Sequence, residues 1–429
     1  MPSSVLQCIL QVYVFIYLFL ECIYQCKFIQ YFFLHDMKNS GGKLGMKSSF
    51  TRRNSFLLVL GVLVILSAGL VYLFLTGDAS VLQPATVTPT ANMPYTPIAQ
   101  LPPSKPCSSK QRNFQMGVAF PQWSSTAYSS SDTKWLTELP TMRTQTAACW
   151  VEIPILFFQS SVTSTTVMPG PSTPSISSFT YGVHFAHAIG LHVFVKPLLQ
   201  VNGPQPWAGS IKFSTAAQEQ QWFASYWQTI KPYAVAAAQA GVEQIALGTE
   251  YEWLQDHAPS SLWDSLIANI HNVFPGTLTY DMNWTSVRLP VRSWMHNPAL
   301  KMIGVSAYFP LVDTPERIDP QQIFTLWQKK VKHELDTFAA RLGEPIFISE
   351  IGYRNSADAL YHSWESSSAA PPDPEEQAAA YDAALANIIH DQRILGSFFW
   401  GWDDAGGAFN LKGLQAAAVI QKYYEALQA

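Results

Sequence analysis

The sequence predicts an α/β fold, a closed (β/α)8 TIM barrel over residues 107–429, preceded by an N-terminal transmembrane anchor and a Pro/Thr-rich linker. Three observations predict it. Short apolar runs alternate with amphipathic segments, the signature of parallel strands joined by helices. Eight such units fit this length better as a closed barrel than as an open sheet. No Gly-x-Gly-x-x-Gly follows any strand, which removes the dinucleotide-binding alternative.

Taken in order, the strands are "FQMGVAF" (114–120), "TQTAACWV" (144–151), "LHVFVKP" (191–197) and "QIALGTE" (244–250). They continue with "LTYDMN" (278–283), "KMIGVSAYF" (301–309), "PIFISEIG" (345–352) and "GSFFWGW" (396–402). The clearest helix between them is 215–241; others read at 261–274, 321–343 and 374–396. Gly190, Gly241, Gly343 and Gly396 fall between a helical run and the next strand, where a left-handed helix end is wanted.

Ahead of the barrel, residues 56–75 ("FLLVLGVLVILSAGLVYLFL") are long and apolar enough to cross a bilayer. Lys43, Lys47, Arg52 and Arg53 precede the run and Asp78 is the first charge after it. The positive-inside bias then sets 1–55 as a cytoplasmic leader and everything after the span outside the cell. Within the leader, Glu21 and Lys27 interrupt an apolar stretch; it reads as a second membrane segment or as sequence ahead of a start at Met37 or Met46. Residues 76–106, rich in Pro and Thr, read as a tether.

Charged residues make up 13% of the chain and the net charge is −4, which argues against a nucleic-acid partner. Of the five cysteines, Cys107 and Cys149 lie in the barrel region. They read as two unlinked buried thiols, with pairing outside the cell as the other option. His184, His187 and His192 sit at the wrong end of strand three for a catalytic metal.

Two carboxylates demand explanation. Glu250 ends the apolar run "IALGT" and Glu350 stands in "PIFISEIGY", at the close of strands four and seven. A carboxylate there carries a desolvation cost unless it is paired or used. In a barrel both project over the same mouth, where active sites gather. Singly, Glu350 reads as a loop cap or a partner for Arg354, and Glu250 as a partner for a loop donor; Glu252 competes for the strand-four role but lies two residues into the loop.

Together, "GTEYEW", "GVSAYFPL", "FISEIGY" and "FFWGW" resemble the retaining glycoside hydrolases of clan A, most closely family 113, whose characterised members act on β-mannans. The resemblance implies Glu250 as the acid/base, kept protonated by the charge of Glu350 and a desolvated pocket, and Glu350 as the nucleophile. It implies that Tyr308 holds Glu350 and that Trp400 floors the sugar to be cleaved. Many clan A enzymes have Asn before the acid/base; here it is Thr249, and Asn283 is the alternative contact to the sugar 2-hydroxyl.

Lys196 at the end of strand three reads as a donor to a sugar hydroxyl or as a neutralising charge. Trp123, Trp207, Trp284, Trp400 and Trp402 read as aromatic faces for pyranose rings, and Asp403 and Asp404 as solvated loop residues. The resulting expectation is a membrane-anchored extracellular hydrolase with a monomeric catalytic domain. It cuts a β-linked polysaccharide or oligosaccharide with retention and needs no cofactor. A surface carbohydrate-binding barrel without catalysis and a transglycosylase using the same residues are the alternatives.

Overall fold

The computed structural model describes residue 107 and residues 109–429, apart from 204–206 and 404–406. The leader (1–55), the predicted span (56–75) and the tether (76–106) lie outside the described residues. Among the described residues no helix is long and apolar enough to cross a membrane.

Eight parallel strands close into a barrel: β1 (Gln115–Ala119), β2 (Trp150–Gln159), β3 (His192–Val201), β4 (Gln244–Thr249), β5 (Thr277–Asn283), β6 (Leu300–Ser306), β7 (Ile346–Ile351) and β8 (Ile394–Trp400). Closure comes from β1, which pairs with β2 (Gly117 opposite Trp150) and with β8 (Gly117 opposite Phe398). A three-residue strand, Val167–Pro169, runs antiparallel along the end of β2.

Seven strands match their predicted positions to within a few residues; β2 does not. Residues 144–146 end the helix Thr133–Thr146, which closes on a left-handed Ala147 (φ 54°), and the strand begins only at Trp150. Glu152 and Pro154 break up the apolar run "WVEIPILFFQ", so its strand character is disguised. Proline is accommodated because pairing with β1 stops at Glu152, opposite Ala119, two residues before Pro154, so its missing N–H costs that ladder no bond.

Helices cover the outside. The longest, Ala216–Ala240, starts on a Thr215 side chain that accepts from the Gln218 amide and ends on Gly241 at φ 78°. Gly190 and Gly343 also take positive φ, at 81° and 74°. Gly396 does not act as a helix end: it lies inside β8, and a Cβ there would stand 2.5 Å from that of Gln115. The outer helix after β6 runs from Pro320 to Leu342 through a π-type turn at Trp327–Lys332. After β5 there is no α-helix among the described residues; two 3-10 turns, Trp284–Arg288 and Ser293–His296, take its place.

The main apolar core lies between strands and helices. A second, inner core plugs the barrel's lower half with Phe194, Ala246, Phe347 and Phe398, whose rings pack with centroids 5.0–6.1 Å apart. Two residues further along β3 and β7 the inward positions turn polar: Lys196 follows Phe194 and Ser349 follows Phe347. The pleat thus stacks a charged layer directly on a greasy one.

Cys107 and Cys149 form a disulfide with Cα atoms 5.1 Å apart, so the expectation of two separate thiols is corrected. The bond fastens the start of the domain to the foot of β2.

Candidate active site

Above the charged layer opens a cavity of about 620 Å³, lined by Glu250, Glu350, Tyr308, Asn283, Trp207 and Trp400 among others. Its size is within the range usual for small-molecule sites, ~300–1,000 Å³.

Glu250 follows β4 in the left-handed region, at φ 57°, with its amide donating to the Asp281 carbonyl at 2.8 Å. Such a conformation in a residue with a side chain costs free energy and is a mark of functional positions. Here it turns the carboxyl into the mouth, where the Trp207 indole N–H donates to Glu250 Oε2 at 3.3 Å. Burial, then the charges of Glu350 and Asp281, push the Glu250 carboxyl up to about 7, against donors on Trp207 and Ser306.

Glu350 sits in β7, opposite Ser306 of β6. The Tyr308 hydroxyl donates to Glu350 Oε1 at 2.6 Å, and the Lys196 ammonium donates to Oε2. Lys196 is wholly buried and also meets Glu152 Oε1 at 3.1 Å and Asp281 Oδ2 at 3.2 Å. It lies beneath the cavity and does not line it, so the sugar-donor role is corrected in favour of the neutralising charge. Burial opposes its charge, but three carboxyls outweigh burial and hold Lys196 well above the usual lysine range. Burial raises Glu152 to about 8 and raises Asp281, with Lys196 opposing both. Asp281 Oδ1 accepts from the Ser306 and Ser349 hydroxyls, which ties β5 to β6 and β7.

The Thr249 hydroxyl donates to the Pro197 carbonyl at 2.9 Å, while its side chain still faces the cavity. Asn283 reaches the cavity too, and its Oδ1 caps the turn at Trp284 by accepting from the Thr285 amide at 3.0 Å. Glu252 is the loop anchor: it accepts from the Thr285 and Ser286 hydroxyls. Arg354 is no partner of Glu350, because its buried guanidinium binds carbonyls of its own loop.

Among the tryptophans, Trp400 faces the cavity with the Lys196 ammonium 5.4 Å from its ring centre. Trp123 is 43% exposed beside it, ring centres 6.4 Å apart. Trp402 is a correction. It is fully buried in the main core, because β8 ends at Trp400 and the chain turns at Trp402 and Asp403, which takes the ring away from the mouth. Asp403 pairs with Lys134 and Lys412 at 3.7 and 3.4 Å, while Asp404 lies outside the described residues. His187 and His192 both bind Glu243, at 3.2 and 3.1 Å, at the foot of β3 and β4.

Sequence reasoning passed over Glu152, Asp281 and Trp364. The first two carried the same signal as Glu350, an acid inside an apolar strand; Trp364, in a loop, carried none.

The sequence pattern of Glycoside Hydrolase Family 113 matches residues 118–423. A GH113 β-1,4-mannanase is similar in structure, with TM-score 0.62 and 22% identity over 73% of this chain and 100% of that one. The GH113 β-mannanase from Alicyclobacillus acidocaldarius, solved in complex with ManMIm, gives 0.61 and 23% over 75% and 100%. No curated protein matches the chain at a significant level.

Proposed function

The chain belongs to glycoside hydrolase family 113, and from that premise we propose that it cleaves β-linked mannan with retention of configuration, Glu350 acting as nucleophile and Glu250 as acid/base. The observation that carries this reading is the unequal pair of carboxyls facing one cavity. Glu350 is held by a buried ammonium on one carboxyl oxygen and a phenol on the other. Glu250 sits where burial favours the neutral acid, up to about 7.

In the first step a Glu350 oxygen attacks the anomeric carbon while Glu250 gives its proton to the departing glycosidic oxygen. The pyranose is left as an ester on Glu350. Esterification removes the negative charge that had raised Glu250, so Glu250, now ionised, takes a proton from water. That water attacks the anomeric carbon, the ester breaks and Glu350 leaves as a carboxylate. Tyr308 fixes the attacking oxygen, and Trp400 supplies a flat face to the sugar being transferred. Asn283 and the Thr249 oxygen are the side chains available to the sugar 2-hydroxyl.

The same proposal places residues 107–429 outside the cell as one catalytic domain, with 56–75 as its anchor and 76–106 as its tether. The Cys107–Cys149 disulfide supports an oxidising compartment.

Incubation of the protein with mannan, glucan and xylan, scored for new reducing ends, tests the reading. Mannan should be cut and Glu350→Ala should abolish the cut while the protein stays folded. Binding without product on every polymer would sink the hydrolytic reading, and oligosaccharides longer than the substrate would replace it with transglycosylation.

A further inference from the structure

Two aromatic rings on the cavity wall take no part in the double displacement. Trp284 opens the turn after β5, and Trp364 stands 43% exposed in the loop after β7. Their centroids are 5.5 Å apart with planes 25° from parallel, and both line the same cavity as Glu250 and Glu350. The stack continues outward: His362 lies 4.7 Å from Trp364, and Tyr361 lies 3.7 Å from His362.

The loop that carries Trp364 is built to hold it. Arg354 is completely buried and donates to the carbonyls of His362 (2.7 Å), Glu365 (3.0 Å), Asp358 (2.9 Å) and Tyr361 (2.9 Å). Every one of these acceptors is within the segment that presents the ring. The Ser363 hydroxyl pins the same segment to the end of the β6 loop by donating to the Tyr308 and Phe309 carbonyls. His362 takes φ 43°, a strained conformation that the surrounding bonds enforce. Burying a guanidinium is costly unless its donors are satisfied, and here satisfying them shapes the loop.

A solvent-facing indole on a rigid support is a surface for the C–H face of a pyranose. Its position says which one. Trp400 and Trp123 lie on the β8 and β1 side, whereas Trp284 follows β5, the neighbour of the strand that delivers Glu250. With the transferred ring over Trp400, as in the mechanism above, a glycan crossing the mouth would put its departing ring beyond Glu250, on the Trp284 side.

We propose that Trp284 and Trp364 form a binding site for the departing pyranose and that Arg354 is the positioning residue of that site. The proposal rests on the hydrolase reading given above, and its test separates the two. The ratio of kcat/KM for a β-mannan hexasaccharide to that for β-mannosyl fluoride, whose departing group is a bare fluoride with no ring to stack, is measured for the wild type, Trp364→Ala, Trp364→Phe and Arg354→Met. Loss of one stacked face should lower that ratio about tenfold in Trp364→Ala, while Trp364→Phe restores most of it. Arg354→Met should lower the ratio chiefly through KM for the hexasaccharide. If Arg354→Met does not fold, the two Trp364 variants decide alone. Equal losses on both substrates would overturn the proposal. Calorimetric titration of Glu350→Ala with manno-, gluco- and xylo-hexasaccharide keeps the site testable should mannan prove the wrong polymer. Binding of any one that Trp364→Ala weakens about tenfold supports the site, and binding indifferent to Trp364 refutes it.

Discussion

The Lys196 ammonium donates to the Glu350 carboxylate from a position closed to solvent, with Glu152 and Asp281 on its other sides. One cation thus serves three acids drawn from β2, β5 and β7, of which Glu152, raised to about 8, is mainly neutral at pH 7. Removing it leaves buried carboxyls with no counter-charge, and breaking buried pairs in this way costs about 3–5 kcal/mol. Lys196→Met is therefore predicted to lose that much stability in urea unfolding, and adding Glu350→Gln, which removes the carboxylate the ammonium binds, should recover part of it. A Lys196→Met protein as stable as the wild type would show that the ammonium does not balance the cluster.

Glu250 sets the alkaline limit of activity. It must be protonated in the free enzyme, and burial with the neighbouring charge raises it to about 7, so kcat/KM should fall as pH rises through that value. The Trp207 N–H stabilises the ionised form. Trp207→Phe should therefore move the alkaline limb to higher pH, and an unchanged or lowered limb would contradict the assignment. The same shift has a stability consequence. The folded state binds the proton more tightly than the unfolded chain, so this contribution is full below the ordinary carboxyl value near 4.5 and is lost as pH rises to about 7.

At the foot of the barrel Glu243 holds His187, His192 and the Val193 amide. Burial works against its charge, but these donors pull the carboxyl down to about 2. The Glu243 contribution is thus present above its ordinary value and lost as pH falls toward 2. His192 is shifted upward by the hydrogen bond it donates to the Glu243 carboxylate, so its share is present at low pH and lost as pH rises through the raised value. Glu243→Gln should flatten the acid limb of a plot of melting temperature against pH. An acid limb as steep as the wild type's would place that stability elsewhere.

The disulfide closes a loop with sequence separation 42. Loop entropy alone makes such a bond worth about 4 kcal/mol, with native bonds in general giving roughly 2–5 kcal/mol. Cys149→Ser should lower the melting temperature while leaving KM for the substrate unchanged, since both cysteines are remote from the cavity. A melting temperature insensitive to the substitution and to reductant would refute the stabilising role.

Much of the barrel was legible because an inward strand face must be apolar or paired, and short runs such as "IALGT" and "PIFIS" satisfy that locally. The placement of Glu250 and Glu350 at strand ends was legible for the same reason. β2 escaped because Pro154 and Glu152 mask its run, and Glu152 makes sense only beside Lys196, a partner fixed by closing the barrel. Trp402 misled because alternation along "FFWGW" holds only while the strand lasts. The Cys107–Cys149 bond has no local signature, since two cysteines meet by virtue of the fold. Trp364 was silent, because its loop is shaped by an arginine core that no spacing rule reveals.

The central claim, attack by Glu350 followed by hydrolysis of the resulting ester, is tested most directly by proton NMR of the first sugar released from a β-mannan oligosaccharide, recorded before mutarotation. The account predicts that the new reducing end appears first as the β-anomer. First appearance of the α-anomer would mean a single displacement by water and would contradict it.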